Sequence, residues 1–209
     1  MDIARHLRWA SGGMLALQGR DASEVACTRR GVRWSLDLDE GVQLALYLGV
    51  YERSTPSALT RLAGRGAIVI DVGANIGSQA LPLARHIGAE GRLIAVEPAD
   101  SAMARLRANL ALNPELQDRV TLVHRALGAA GDSAAGTYYA RWPLAGARGT
   151  HPVHQGAPER STAQVETLDG LVAEFGLPRV DLIKLDVDGS ELPVLRGPPP
   201  RWRATIRRW

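Results

Sequence analysis

The chain has 209 residues, of which 45% are hydrophobic and 22% charged, values that suit one globular domain with a sizeable core. Its formal net charge of +3, with scattered arginines and a single Phe, indicates no basic or stacking surface for nucleic acid. One cysteine, Cys27, excludes an internal disulfide framework, and the longest apolar stretch, residues 41–51, is too short to span a bilayer. We therefore expect a soluble cytoplasmic protein that binds neither nucleic acid nor membrane.

The first sixty residues are predicted to form an N-terminal helical cap. Residues 1–35 carry little periodic pattern. Acidic residues at 37–40 precede an apolar run, and carboxylates favour a helix N-terminus, so we expect a helix from Gly41 to Glu52. Residues 61–197 are then expected to form the main domain, followed by a Pro- and Arg-rich tail at 198–209.

A strand, a glycine turn and a helix are predicted over residues 67–87. Ala67 to Val72 is an apolar run typical of a buried parallel strand, and V-G-A-N-I-G leads from it into an apolar-periodic segment. Glycines let the backbone approach a ligand closely, and a helix start presents unpaired N–H groups. This layout is typical of a nucleotide-cofactor site. Pro82, inside the helical segment, predicts a kink.

The next segments continue this alternation. Arg92 to Val96 predicts a second strand that ends in Glu97, twenty residues after Gly77, where a carboxylate is placed to accept hydrogen bonds from ribose hydroxyls. Residues 101–112 predict a helix, and residues 120–124 predict a third strand. Alternating strands and helices predict an α/β fold with a Rossmann-like sheet.

The glycine spacing separates two classes of cofactor. A dinucleotide site has G-x-G-x-x-G, with the pyrophosphate at the helix N-terminus, whereas Gly73 and Gly77 are spaced G-x-x-x-G. Asp71 stands two residues before Gly73, where its carboxylate would repel a pyrophosphate but suit a cationic amino group. S-adenosylmethionine carries an ammonium, a sulfonium and a ribose, and it is the cofactor we expect. A tight turn in another α/β protein and an NAD-dependent oxidoreductase are the alternatives.

Residues 128–160 are predicted to form an irregular insertion, because they are rich in Gly, Ala, Pro and Arg. Long irregular insertions in compact domains often carry function. Here His151 and His154 are either a catalytic base or metal pair, or solvated loop residues; no bound metal is otherwise expected. After the insertion, residues 165–168 predict a short strand, and Asp169 is the expected N-cap of a short helix.

The last predicted strand, Val180 to Val187, carries the strongest catalytic candidate. Asp186 lies at the carboxyl end of this strand, the edge at which open α/β sheets bind ligands. Asp188 and Glu191 match a capping box, so Glu191 has a structural explanation. Asp186 has none, and an unpaired buried carboxylate would be costly. We therefore place Asp186 at the active site.

Five segments of the chain resemble the FkbM-type methyltransferases, which are class I, S-adenosylmethionine-dependent enzymes that act mostly on hydroxyl oxygens. These segments, in the family's order, are D-L-D-E-G-V-Q-L-A-L-Y-L-G-V-Y-E, V-I-D-V-G-A-N-I-G, A-V-E-P, V-E-T-L-D-G-L and D-L-I-K-L-D-V-D-G-S-E. The glycine turn and the last segment are the most specific. The resemblance implies a class I sheet with helices on both faces and a site for S-adenosyl-L-methionine.

The resemblance also assigns roles to residues. It places Glu52 at the edge of the cofactor, although a helix that only covers one sheet edge is an alternative, and it places Arg125 and Ala126 where the adenine ring lies. The residues it implies in cofactor binding are Glu52, Asp71, Gly73, Ala74, Asn75, Gly77, Glu97, Pro98, Arg125, Ala126 and Asp186. Asp186 is the first candidate for the general base, and the two histidines of the irregular insertion are the second. The expected acceptor is a hydroxyl of a small molecule or a glycan, and the oligomeric state stays open.

The resemblance is expected to stop at Gly197. A class I domain has seven strands, and three more would follow this point, but the sequence continues P-P-P-R-W-R-A-T-I-R-R-W. Three prolines cannot enter a central strand. We therefore expect a sheet that lacks its C-terminal strands, through truncation or a shift of reading frame. A degenerate, non-catalytic binding protein with the methyltransferase fold is the alternative function.

Overall fold

The computed structural model describes residues 23–52, 54–132, 137–144, 157–161, 163–187 and 191–195. The helices are α1 Gly41–Tyr47, α2 Thr55–Leu62, α3 Ala80–Ile87, α4 Asp100–Ala111, a 3₁₀-helix Pro114–Arg119, α5 Leu168–Glu174 and α6 Glu191–Leu195. The strands are β1 Glu24–Arg29, β2 Val32–Asp37, β3 Ile68–Val72, β4 Arg92–Val96, β5 Val120–Val123, β6 Ala126–Leu127, β7 Thr137–Arg141, β8 Ala157–Arg160, β9 Val165–Glu166 and β10 Leu182–Leu185. Within these ranges, no helix combines the length and the apolarity needed to cross a bilayer.

Strands β1 and β2 form an antiparallel hairpin in the segment for which a helical cap was predicted. Arg30 and Gly31 form its two-residue turn, and both have positive φ angles, 52° and 73°, as primed hairpin turns require. Val32, Trp34 and Leu36 alternate along β2 and are all buried. The helical prediction is wrong for these residues, because their apolar side chains repeat with the period of two that is typical of a strand, over only six positions.

Four parallel strands form the central sheet in the order β5-β4-β3-β10. Numbered by their position along the chain, these strands are the third, second, first and fourth of the sheet. This is the strand order of a doubly wound sheet, with its switch point between β3 and β10. In one apolar cluster, the hairpin and the helices α1, α2, α3 and α4 pack against one face of the sheet. In a second cluster, α5 and α6 pack against the other face. The predicted Rossmann-like sheet with helices on both faces is confirmed. Among the described residues the sheet ends at β10, and the predicted tail at 198–209 lies outside them.

Two helix boundaries differ from the prediction. Helix α1 ends at Tyr47 rather than Glu52, and α3 begins at Ala80. Pro82 therefore lies in the first turn of α3, where backbone N–H groups have no partner within the helix and proline is well tolerated. The kink expected from an interior proline has no cause there.

Helix α5 is capped two residues earlier than predicted. Thr167 Oγ1 accepts a hydrogen bond from the backbone N–H of Gly170 at 3.0 Å, which is the geometry of an N-cap. Asp169, the expected cap, lies instead in the first turn of the helix. A carboxylate in that position still interacts favourably with the positive end of the helix.

Two strands lie within the described parts of residues 128–160, for which an irregular insertion was predicted. Strand β7 pairs with β8 in an antiparallel register. Tyr138 and Ala140 of β7 pack against Ala99 and Ala102 at the start of α4. This contact brings β7 beside the carboxyl end of the central sheet, where the candidate site lies.

Candidate functional site

A cavity of about 760 Å³ opens at the carboxyl ends of β3, β4 and β10. Open α/β sheets bind ligands at this edge, beside the switch point of the strand order. Most of the predicted site residues are brought together here: Glu52, Gly73, Ala74, Asn75, Glu97, Pro98, Arg125, Ala126 and Asp186 all line the cavity. Asp71 and Gly77 do not line it, and His151 and His154 lie outside the described residues.

The turn after β3 is built from residues with positive φ. These angles are 77° at Gly73, 49° at Asn75 and 91° at Gly77. A Cβ atom at Gly73 would lie 1.9 Å from the carbonyl oxygen of Asp186, so only glycine lets the ends of β3 and β10 approach this closely. Gly77 faces Leu106 of α4 rather than the cavity, so it fixes how the turn packs on the helix.

The backbone N–H groups of this turn are already bonded within the protein. Gly73 and Ala74 both donate to the carbonyl oxygen of Val96, at 2.9 and 3.0 Å. The next three N–H groups also have acceptors: Asn75 N–H donates to Glu97 Oε2, Ile76 N–H to Asn75 Oδ1, and Gly77 N–H to the Ala74 carbonyl. A bound phosphate is held by free N–H groups of such a turn. None of the five N–H groups here is free for one.

Glu97 holds two loops of the cavity wall. It is 5% exposed, and Oε2 accepts the backbone N–H of Asn75 at 2.8 Å while Oε1 accepts that of Ala99 at 2.9 Å. Each carboxylate oxygen keeps a second lone pair for a ligand hydroxyl. Burial raises the pKa of Glu97 to about 7, although these two backbone hydrogen bonds act to lower it.

Lys184 is a site residue that the sequence interpretation did not select. Its Nζ lies 3.0 Å from Asp71 Oδ1, 3.2 Å from the Gly73 carbonyl oxygen and 3.5 Å from Asp186 Oδ2. The sequence interpretation placed Asp71 against a cationic ligand, and in the structure the cation beside Asp71 is Lys184. The available signal was one cation within the apolar strand L-I-K-L, but its partner depends on strand register.

Tyr51 and Glu52 form the edge of the cavity after α1. Glu52 has a φ of 36°, and its Oε2 accepts a hydrogen bond from Gln79 Nε2 at 2.6 Å. Burial raises the pKa of the Tyr51 phenol, and the charges of Glu52 and Asp186 raise it further. The Tyr51 hydroxyl therefore stays protonated and can donate a hydrogen bond.

Arg125, Ala126 and Pro98 contribute a further part of the wall. The guanidinium of Arg125 forms an ion pair with Glu174 of α5, with Nη2 3.1 Å from Oε1. The Pro98 carbonyl oxygen accepts a hydrogen bond from Ser161 Oγ. These contacts fix the loops after β4 and β5 beside the cavity.

Strand β7 and helix α1 give the cavity an apolar and aromatic side that the sequence interpretation did not assign. Tyr138, Tyr139 and Trp142 line the cavity together with Val42 and Ala45 of α1. The aromatic residues were visible in the sequence. Their position was not, because it depends on the pairing of β7 with β8.

Glu40 connects these two elements. Its buried carboxylate accepts the backbone N–H of Gln43 at 2.9 Å, which caps α1, and that of Trp142 at 2.8 Å, which follows β7. The backbone N–H of Gly41 donates to the Trp142 carbonyl at 2.7 Å.

In the described part of the chain, no three His, Cys, Asp or Glu residues are grouped as a metal site would require.

The sheet order, the glycine turn and the cavity at the carboxyl ends of the strands define an α/β protein of the Rossmann-like class. The model of the methyltransferase FkbM domain matches residues 71–209, about two thirds of the chain. The chain therefore belongs to the FkbM methyltransferase family. This match continues past Gly197, where the resemblance was expected to stop.

Two curated relatives are similar to parts of this chain. Methyltransferase sdnD of Sordaria araneosa is 28% identical over 155 residues, which cover 62% of this chain and 59% of that protein. The AMB antimetabolite synthetase AmbE of Pseudomonas aeruginosa is 29% identical over 175 residues, 68% of this chain but only 8% of that protein. The chain thus spans about three fifths of the first relative and a small part of the second.

Several solved structures are similar to parts of this chain. A SAM-dependent O-methyltransferase from Thermotoga maritima is 27% identical, with a TM-score of 0.33, over 36% of this chain and 29% of that chain. TYW2 of P. horikoshii in complex with MeSAdo is 17% identical, with a TM-score of 0.43, over 57% and 47% of the two chains. The fold assignment therefore rests on the sheet itself and on the family match.

Proposed function

We propose that this protein transfers a methyl group from S-adenosylmethionine to a hydroxyl oxygen of a small molecule or a glycan. Membership of the FkbM methyltransferase family supports methyl transfer. The observation that carries the choice of donor is Glu97, a buried carboxylate on the cavity wall beside a turn whose N–H groups are all engaged. That combination suits a ribose, and the N–H groups of residues 73–77 are not free to hold a pyrophosphate.

The charges of the cavity wall support a cationic cofactor. Carboxylates outnumber cations on the described wall of the cavity. The carboxylates are Glu52, Glu97, Asp132 and Asp186, and the cations are Lys184 and Arg125. Both cations already have carboxylate partners. S-adenosylmethionine carries a sulfonium and an ammonium, which an excess of carboxylate attracts. The same excess opposes the pyrophosphate of NAD, so the oxidoreductase alternative is disfavoured.

The residues of the site divide between binding and proton transfer. Glu97 accepts hydrogen bonds from the ribose through the free lone pairs of its two oxygens. S-adenosylmethionine, when bound, supplies an electrophilic methyl group on sulfur. Asp186 accepts the proton that the acceptor hydroxyl loses as its oxygen bonds to the methyl carbon and the carbon–sulfur bond breaks. Methyl transfer needs the acceptor oxygen in line with the methyl carbon and the sulfur, and cavity walls that oriented both substrates in this way would supply much of the rate.

The aromatic side of the cavity supports an acceptor with an apolar face. Tyr138, Tyr139 and Trp142 present large, rigid surfaces that such a face can pack against. The side chain of Asp186 is 55% exposed at the cavity, so a hydroxyl of the acceptor can reach it. A small molecule with an apolar ring and one reactive hydroxyl meets both conditions.

The donor is tested by calorimetric titration with S-adenosylhomocysteine, with NAD as the control ligand. We expect S-adenosylhomocysteine to bind and to raise the melting temperature, because a ligand at a hundredfold excess over its Kd adds about 2.7 kcal/mol of stability. NAD should do neither. Binding of NAD with no binding of S-adenosylhomocysteine would overturn the proposal.

Methyl transfer is tested with methyl-labelled S-adenosylmethionine and a panel of phenols, alcohols and glycans. Label should enter one acceptor class, and Asp186→Asn should lower that transfer by about 10² to 10⁴, the usual contribution of a general base. Binding of the cofactor without transfer to any class would favour the degenerate, non-catalytic binding protein. Label on a nitrogen or carbon acceptor would contradict the hydroxyl assignment.

A further inference from the structure

The chain contains one lysine, Lys184, and 24 arginines. This single lysine lies in β10, lines the cavity, and has a side chain that is only 12% exposed. Arginine serves as the cation everywhere else in the sequence. Lysine offers a compact charge with three rotatable donors, whereas arginine offers a planar fork. The contacts of Lys184 explain why lysine, and not arginine, occupies this position.

Three oxygens close to the Lys184 ammonium belong to three different parts of the site. Asp71 Oδ1 at 3.0 Å lies in the sheet, the Gly73 carbonyl at 3.2 Å belongs to the glycine turn, and Asp186 Oδ2 at 3.5 Å lies at the cavity wall. The ammonium donates hydrogen bonds to Asp71 and to the Gly73 carbonyl, and it forms an ion pair with Asp186. One side chain thus connects the cofactor turn to the candidate base.

Asp71 lies behind this lysine. Its side chain is 1% exposed, and it does not belong to the cavity lining. The register of β10 on β3 places Lys184 directly opposite Asp71. One carboxylate oxygen of Asp71 binds Lys184, and the other is buried with no hydrogen-bond partner among the described residues. Lys184 therefore stands between Asp71 and the cavity.

The charge of Lys184 is maintained by these carboxylates. Burial alone would lower the pKa of the ammonium, but the charges of Asp71 and Asp186 outweigh burial and raise it. The protonated lysine also acts to lower the pKa of Glu97. The electrostatic state of the cavity wall thus depends on an ammonium whose position Asp71 fixes.

We propose that Lys184 is a positioning residue that holds the Gly73 turn and the Asp186 carboxylate in their binding geometry, and that Asp71 acts on the cofactor only through Lys184. This inference rests on the proposed function, because it concerns the same cofactor cavity. It replaces the direct contact between Asp71 and a cationic ligand that the sequence pattern predicted. Two groups that act through one another must show coupled, not additive, effects.

The test is a double-mutant cycle with S-adenosylhomocysteine as the probe. We expect Asp71→Asn and Lys184→Met each to weaken binding about tenfold, and the double variant to weaken it by about the same factor. Independent contacts would instead give about a hundredfold loss in the double variant, which would overturn the inference. Arg179→Met, which removes an exposed cation at the amino end of β10, is the matched control and should leave the affinity unchanged.

Lys184→Met leaves a buried carboxylate without its cation, which can prevent folding. Each variant is therefore first checked for a cooperative melt. If Lys184→Met does not fold, the affinity of Asp71→Asn is compared with that of the double variant. This comparison tests the inference because Asp71→Asn already removes the carboxylate charge that holds Lys184. Equal affinities within about threefold would support the inference, and a further tenfold loss in the double variant would contradict it.

The single lysine also gives a direct spectroscopic readout. Labelling with ¹⁵N-lysine yields one side-chain ammonium signal, that of Lys184. S-adenosylhomocysteine should shift this signal in the wild-type protein, and Lys184→Arg should not restore the affinity lost in Lys184→Met, because a planar fork cannot match the three oxygens. An unmoved signal in a protein that binds the probe would overturn the inference alone. No binding to the folded wild-type protein would overturn the proposed function and this inference with it.

Discussion

Asn75 donates its backbone N–H to Glu97 Oε2 over 2.8 Å, and this bond joins the end of β4 to the turn after β3. The other carboxylate oxygen accepts the N–H of Ala99 at 2.9 Å. One buried side chain therefore holds two loops that face the cavity. Changes at Glu97 act on the stability of the protein and on ligand binding through the same atoms.

Replacement of Glu97 by alanine should weaken binding of S-adenosylhomocysteine by about 1–3 kcal/mol, because a charged hydrogen-bond acceptor is lost. The free energy of unfolding should fall by a similar amount, since two backbone N–H groups lose their acceptor. Calorimetry and urea unfolding measure the two effects. Glu90→Ala, at an exposed position after α3, is the matched control. An unchanged affinity in Glu97→Ala would exclude the ribose role.

The pH dependence of stability should carry a contribution from Glu97. Burial raises the pKa of this carboxyl from 4.5 to about 7, so the native state holds the proton more tightly than the unfolded chain does. The contribution is then complete below about pH 4.5 and is lost as the pH rises through about 7. Its size is on the order of 3 kcal/mol. Urea unfolding at pH 5 and pH 8 should show a smaller difference in Glu97→Gln, which cannot titrate, than in the wild-type protein.

The pH dependence of ligand binding should have the opposite sign. Ribose hydroxyls donate to the ionised form of Glu97, so affinity for S-adenosylhomocysteine should rise with pH and level off above about pH 7. Below that value the Kd should increase by up to about tenfold for each pH unit. Titrations between pH 5.5 and 8.5 check this, and a wild-type affinity that stays flat over that range would contradict an ionised ribose ligand at this position.

Gly73→Ala should be much more destabilising than alanine at another glycine with the same backbone angle. At Gly73 φ is 77° and a Cβ would meet the Asp186 carbonyl at 1.9 Å, whereas at Gly49 φ is 73° and a Cβ would meet nothing within 4 Å. Gly49→Ala isolates the conformational cost, about 1–2 kcal/mol. Gly73→Ala adds a backbone clash at the junction of β3 and β10. Equal urea midpoints for the two variants would show that the close approach does not matter.

The parts of the site that the sequence predicts are those with local signals. An apolar run followed by V-G-A-N-I-G shows both the strand β3 and its turn, because burial and positive φ restrict which residues occur there. Glu97 is predicted in the same way, by its place after the next apolar strand. A parallel sheet with helical connections follows from these local elements and from the rule that parallel strands are joined by helices.

The parts that the sequence does not show depend on pairing over distance. Lys184 meets Asp71 only because β10 and β3 align in one register, 113 residues apart along the chain. Tyr138 reaches the cavity only because β7 pairs with β8 and packs on α4. Neither contact can be predicted from the pattern of a single segment, because each depends on the register between two strands. A shift of that register by one residue would turn every side chain to the other face of the sheet.

The bond between Glu40 and Trp142 should stabilise the aromatic side of the cavity. The buried Glu40 carboxylate accepts two backbone N–H groups, one in α1 and one after β7, and a glutamine has only one oxygen for them. Glu40→Gln should therefore lower the free energy of unfolding by about 1–3 kcal/mol. Glu90→Gln, at an exposed position after α3, should change it by less than about 0.5 kcal/mol. Equal losses in urea unfolding would show that the loss of any carboxylate charge, rather than of this connection to β7, is what matters.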